Sequence, residues 1–351
     1  MGYYGFFFRK FGYFNLENKK LKSNISLSVI IACKNEAENL EQNLPFLLSQ
    51  KNVNFEIILI NDASTDHSTE IIQQFTNRHS NIKCVSIPFS NHYQGNKKNA
   101  LNIGIQNAKY EHLVFTDADC KPASPFWLDT IANTFEPNVT MVLGYGQYEK
   151  NQTWLNKLIR YETLLAAWQY FSYSLHHLSY MGVGRNMAYT QTLFKKLHGF
   201  ENHIHIKSGD DDLFINQCDP LENIAITWQK NSHTISKPKT SFSAWFRQKR
   251  RHITTSFYYK NSIKFLLALF YLSQVAFYSL FIALILFYPF SLLVIFIVFL
   301  RFIAYYYTLI PVAKKLNESD LVYIAPVLEL NLILLQGIIF IVNVISKPKS
   351  W

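Results

Sequence analysis

At 351 residues the chain can form one large domain or two of ordinary size. Its mean hydropathy of +0.01 averages two unlike parts: the first two thirds have the composition of a water-soluble protein, and the rest is mostly Phe, Leu, Ile, Val and Tyr. The net charge of +10 is as uneven, because Lys237, Lys239, Arg247, Lys249, Arg250, Arg251, Lys260 and Lys264 follow one another with no Asp or Glu between them. A basic stretch leading into an apolar block reads as a cytoplasmic juxtamembrane segment facing anionic lipid, which argues against nucleic acid as the partner. Cys33, Cys84, Cys120 and Cys218 are scattered without CxxC or metal-ligand spacing, so they read as reduced thiols in a cytosolic domain.

In chain order, residues 1–24 open with "MGYYGFFFRKFGYF", aromatic but broken by Arg9 and Lys10. The segment lacks the apolar core and cleavage site of a signal peptide and reads as an interfacial anchor. "LSVIIAC" (27–33) is an apolar run of buried-strand length, followed by "KNEAENL", which can open a helix. "FEIILI" (55–60) is a second strand, ending in Asn61-Asp62, and "ASTDHSTEIIQQF" supplies helix-start chemistry. "IKCVSI" (82–87) is a third strand, residues 97–108 carry a helical spacing of apolar residues, and "HLVFTD" is a fourth strand. Strands alternating with helices predict an α/β domain with a mostly parallel sheet, spanning 25–236.

Ligands of such sheets sit beyond the carboxyl ends of the strands. Glu36, Asp62 and the pair Asp117/Asp119 each follow a strand and would line that edge. In an extended backbone, Asp117 and Asp119 share a face, where two like charges repel unless a cation or donors intervene. Mg²⁺ binds through one or two carboxylates plus water and substrate phosphates, so a metal held against a diphosphate answers that repulsion. Backbone donors at a turn are the plainer answer.

Farther on, "TWLNKLIRYETLLAAWQYF" (153–171) spaces Leu and Trp as a helix, either amphipathic at the membrane or in the domain core. "SGDDDLFIN" (208–216) holds three consecutive acids, either a helix cap or a general base with a raised pKa. After the basic segment 237–264, residues 265–346 contain three apolar stretches: 265–287, 290–313 and 321–345. Each is long enough to span a bilayer. With the basic segment inside, Lys314 and Lys315 return to the cytoplasm, while Lys347 and Lys349 would end outside, against the positive-inside rule. Arg301 and Glu329 fall near mid-depth and are expected to pair.

These pieces together resemble family 2 glycosyltransferases of GT-A (Rossmann-like) fold, in particular the membrane-bound branch of cellulose, hyaluronan and poly-N-acetylglucosamine synthases. The matching stretches are "SVIIACKNEAENL", "INDASTDHS", "GNKKNALNIGI", "TDADC", "GDDDLF" and "QKRRH" (248–252), in that order. The resemblance implies an inverting transfer from a nucleotide sugar, with UDP as the leaving group and Mg²⁺ or Mn²⁺ as cofactor. The acceptor would be lipid-linked or a growing glycan, and the enzyme would be a multi-pass protein of the inner (plasma) membrane with its catalytic domain in the cytoplasm. It assigns Glu36 and Asp62 to the nucleoside, Lys97 to the phosphates, Asp117 and Asp119 to metal and diphosphate, and Asp211 (alternatively Asp210) to the proton of the acceptor hydroxyl. Gln248, Arg250 and Arg251 match the Q-x-x-R-W element near the membrane surface and are assigned to the nucleotide sugar, the guanidinium groups pairing with diphosphate oxygens.

Departures limit that likeness. His252 replaces the Trp of Q-x-x-R-W, which argues against a processive β-glycan synthase, although Trp245 stands nearby as a substitute. Three helices are few for a polymer channel, which would call for a membrane partner subunit. "GVGRNMAY" (182–189) resembles the family's acceptor-side loop, but Arg185 does not identify an acceptor. A non-catalytic nucleotide-sugar-binding subunit is the rival of another class, and the intact acids argue against it.

Overall fold

The four apolar runs of the first 115 residues become adjacent parallel strands: β1 (Leu27–Cys33), β2 (Phe55–Asp62), β3 (Ile82–Ile87) and β4 (His112–Phe115). The computed structural model describes residues 2–15, 24–90, 92–93, 95–206, 208–288 and 291–346. Lys347, Lys349 and residue 290 of the expected second span lie outside that set.

The remaining strands are short: β5 (Cys120–Pro122), β6 (Met141–Leu143), β7 (Gly146–Tyr148), β8 (Met187–Thr190), β9 (Ile224–Ile226) and β10 (Thr234–Ser236). The main sheet runs β3-β2-β1-β4-β8-β6-β9, and a smaller one runs β5-β10-β7. In the main sheet β8 is antiparallel to both neighbours and every other pairing is parallel. This is a mixed, mostly parallel α/β sheet of the GT-A type. Near-continuous apolar strands are what a sheet covered on both faces requires, and Val29, Ile31, Ile57, Leu59 and Val114 are each at most 1% exposed.

The chain divides into two units. A sheet unit comprises Glu17–Glu149 and Met181–Pro238, and a helical unit comprises Met1–Leu16, Lys150–Tyr180 and Lys239–Trp351. The helix Trp154–Ser174 therefore belongs with the C-terminal helices rather than with the sheet. Its Arg160 is 1% exposed and reaches Glu318 at 2.9 Å and Asp320 at 2.6 Å, while the Tyr161 and Tyr305 hydroxyls meet at 2.8 Å.

Three helical stretches among the described residues are long and apolar enough to cross a membrane: Asn261–Phe287, Leu292–Lys315 and Ser319–Ile345. Arg301 and Glu329 do pair, at 2.6 Å, and the same carboxylate also accepts from Tyr4, Gln274 and Tyr278. Four donors thus meet the buried Glu329 carboxylate. The aromatic N-terminal segment is more deeply built in than an interfacial anchor. Phe8 and Phe11 are fully buried, the Phe8 carbonyl accepts from the Trp168 indole, and Tyr13 donates to the Tyr307 carbonyl.

Candidate active site

The sheet unit collects seven of the residues singled out from the sequence at or beyond the carboxyl ends of its strands. After β4 the chain does not continue extended. It turns, with the Cys120 N–H donating to the Asp117 carbonyl at 3.0 Å, and enters the smaller sheet as β5. Asp117 and Asp119 consequently share a turn rather than one strand face. Asn43 fixes that turn by donating to the Ala118 carbonyl at 2.9 Å. Ligand atoms of Asp117, Asp119 and Cys120 lie within 4.8 Å of one another. Burial and the Asp117 charge push the Asp119 carboxyl above its ordinary pKa. Burial pushes the Cys120 thiol well up, and it donates to Asp119 Oδ1 at 3.3 Å. Cys120 is thus a protonated donor, which leaves two carboxylates as the oxygen ligands. Asp119 beside a cavity of 270 Å³, lined also by Gln42, Phe46, Lys121 and Glu149, fits a hard divalent cation with open coordination positions.

Lys97 opens the helix Lys97–Gln106, capped by Asn96, whose side chain accepts from the Lys98 and Asn99 amides. Its ammonium lies 2.8 Å from Asp117 Oδ1 and 3.0 Å from Asp210 Oδ2, tying the turn after β4 to the three consecutive acids. Burial opposes the charge on Lys97, but the two carboxylates outweigh it and its pKa stands well above the ordinary value. Gly209, at φ +87°, makes the turn that delivers those acids, and a Cβ there would meet Leu213 at 2.5 Å.

Asp211 caps the helix Asp212–Asn216 and accepts from the Asp212 amide and the Gly184 amide, both at 2.8 Å. Burial, and then the charges of Asp210 and Asp212, push its carboxyl up to about 7. Asp210 goes the other way: burial raises it, but Lys97 outweighs burial and holds it below the ordinary range. Adjacent acids pushed apart in this way are the arrangement from which acid and base roles arise.

Glu36 ends the β1 turn at the start of the helix Ala37–Leu48, held by Asn39 at 2.6 Å. Burial raises its carboxyl, and Asp119 and Asp117 add to the effect. Asp62, at the end of β2, is 4% exposed, with the Tyr93 hydroxyl donating to it at 2.7 Å.

Gln248, Arg250 and Arg251 belong to the helical unit, on the helix Phe242–Ile253. There Arg250 donates to Asn343 Oδ1 at 2.8 Å and to the Ser346 hydroxyl at 3.0 Å. Trp245 does not stand in for an exposed indole at position 252. It is 1% exposed, with its N–H directed to Glu162 at 3.3 Å. Tyr148 and Tyr93 are site features that the sequence reading missed, and Arg185 was named there without a role. Arg185 stands in the "GVGRNMAY" loop, and the signal for it was a cation directly after a glycine that closely approaches the acids, since a Cβ on Gly184 would lie 3.3 Å from Asp210.

Comparison with known proteins agrees with this geometry. The profile described as "Glycosyl transferase family 2" matches residues 28–197. A poly-β-1,6-N-acetyl-D-glucosamine synthase of Staphylococcus epidermidis is 40% identical over 93 residues, 26% of this chain and 21% of its own length. The synthase of the same name from Staphylococcus aureus (strain COL) is 27% identical over 221 residues, 60% of this chain and 48% of its own. The chain thus spans between a fifth and a half of these curated relatives. Among solved structures, a mannosyltransferase from Pyrobaculum calidifontis in complex with GDP-Man and Mn²⁺ superposes with a TM-score of 0.57 at 17% identity, covering 93% of this chain and 92% of that one. That likeness is one of fold. Residues 28–197 thus match glycosyltransferase family 2, with a GT-A fold and distant homology to the poly-β-1,6-N-acetylglucosamine synthases.

Proposed function

We propose that the chain is a membrane-anchored inverting hexosyltransferase that moves a sugar from a UDP-sugar to a lipid-linked or growing glycan acceptor, with its sheet unit in the cytoplasm. The observation that carries this reading is the cluster Asp117–Lys97–Asp210–Asp211, in which one carboxyl is tuned to about 7 beside an ionised neighbour. In this mechanism Asp211 takes the proton of the acceptor hydroxyl. The hydroxyl oxygen attacks the anomeric carbon from the face opposite the diphosphate. The bond from that carbon to the diphosphate oxygen breaks, the electron pair leaves with the nucleoside diphosphate, and the configuration inverts. Lys97 keeps Asp210 ionised, and the negative field of Asp210 keeps Asp211 basic. Asp117 and Asp119 would hold Mg²⁺ or Mn²⁺, which supplies positive charge against the leaving diphosphate.

His252 at the Trp position, and the burial of Trp245, support transfer of a single sugar over polymerisation. The test is a panel of UDP-, GDP- and dTDP-sugars with Mn²⁺ and detergent-purified protein, with the anomeric configuration of the product read by NMR. Turnover of one UDP-sugar, with inversion and loss on chelation, is the expected result. Retention of configuration, or turnover of a GDP- or dTDP-sugar instead, would overturn the corresponding part of the proposal.

A further inference from the structure

Arg185 has no role in the mechanism above, yet the fold takes trouble to hold it. Its guanidinium lies 4.2 Å over the Tyr148 ring, and Nη2 donates to the Gly146 carbonyl at 2.6 Å. Nη1 is 3.4 Å from the Ser236 hydroxyl, and the Arg185 carbonyl accepts from Thr234 at 3.0 Å. Gly146 is the residue that makes room: a Cβ there would sit 2.1 Å from Arg185 Nε. The Nε–H itself is buried without an acceptor. Among the described residues no carboxylate lies within ion-pair distance of Arg185. An arginine stacked on an aromatic ring, seated against a glycine and with no carboxylate partner for its remaining Nη donors, is a preorganised anion receptor.

Sheet register says what kind of anion. In the small sheet Tyr148 pairs with Ser236, and Ser236 pairs with Cys120, so the three side chains share a row on one face. Arg185 rests on two members of that row, and the third directly follows Asp119. The guanidinium is therefore about two strand spacings, on the order of 10 Å, from the proposed metal carboxylates. That is the span of a metal-bound diphosphate and its bridging oxygens. Lys97, meanwhile, already serves both Asp117 and Asp210 and brings no unpaired charge.

We infer that Arg185 binds the β-phosphate of the donor's diphosphate through the Nη–H donors that Gly146 and Ser236 leave over, and so stabilises the leaving group as the glycosidic electron pair passes to it. The inference rests on the glycosyltransferase reading of the same site. Charge-assisted bonds of this kind are worth about 1.5–3 kcal/mol, roughly ten- to a hundredfold in affinity.

The experiment is isothermal titration of the full-length protein in detergent with UDP and UMP, and with GDP and GMP, in Mn²⁺. Wild type is compared with Arg185→Gln, Arg185→Lys and Gly146→Ala. For the base that wild type prefers, Arg185→Gln is expected to lose roughly tenfold or more in diphosphate affinity while monophosphate affinity stays within about twofold. Gly146→Ala, which keeps the charge but displaces the guanidinium, should show the same split, and Arg185→Lys an intermediate one. Mn²⁺ affinity should remain at the wild-type value. Equal losses for mono- and diphosphate, or no loss in a folded variant, would overturn the inference alone. Wild type that binds none of the four nucleotides would instead overturn the reading on which it rests.

Discussion

At the scale of single residues, function turns on two adjacent carboxyls made unlike by their surroundings. Asp211 is expected to give kcat/KM a rising limb with an apparent pKa near 7, since the base must be ionised to accept a proton. Asp211→Asn should remove that limb and lower kcat by roughly 10²–10⁴, with donor affinity kept. The same group makes a stability prediction. A carboxyl raised in the folded state stabilises the fold below its unfolded pKa, and that contribution is lost as pH rises through about 7. The melting temperature of Asp211→Asn relative to wild type should therefore become more favourable between pH 5.5 and 8.5, and a pH-independent difference would contradict the assignment. The sequence "GDDDLF" displays all three acids but not which one is the base. In the proposed mechanism that is decided by Lys97, which is distant in the chain and forms its ion pair with Asp210.

At the scale of elements, the helix Lys97–Gln106 positions that lysine, and Gly104 lets it lie close on the sheet. A Cβ at 104 would come within 2.6 Å of Ile60 and 2.7 Å of Ile30. Gly104→Val should cost about 1–3 kcal/mol by overpacking, a fall of several degrees in melting temperature followed by scanning fluorimetry. An unchanged melting point would mean that the close approach does not matter.

The strands β1 to β4 were legible because each is an apolar run of its own, whereas β5 to β10 are three or four residues long, too short for any periodicity to declare them. The pair Asp117/Asp119 shows the same limit in miniature. Its carboxylates converge as the sequence predicted, but through a turn fixed by Asn43, and no strand rule contains that contact. The helix Trp154–Ser174 was ambiguous for a similar reason, since its partners Tyr305, Glu318 and Asp320 lie far along the chain.

At the scale of the molecule, three long apolar helices among the described residues accompany the sheet unit, and the buried Arg301–Glu329 pair was anticipated by cost alone. Glu329→Leu should strand the Arg301 charge and destabilise the protein by about 3–5 kcal/mol, whereas Arg301→Leu/Glu329→Leu should recover most of that loss. Thermal unfolding of the single and double variants in one detergent checks it, and additive losses would contradict the pairing. What the residue order could not convey is that the aromatic N-terminus and residues 150–180 complete this helical unit.

The central claim is that the Asp117–Lys97–Asp210–Asp211 cluster performs glycosyl transfer. Its most direct test is nucleoside-diphosphate release from a donor sugar by wild type, Asp119→Asn and Asp211→Asn at one Mn²⁺ concentration, with donor binding measured alongside. The account predicts release by wild type only, with Asp119→Asn impaired in metal-dependent donor binding and Asp211→Asn binding the donor but not turning it over. Wild-type rates in either variant would contradict it.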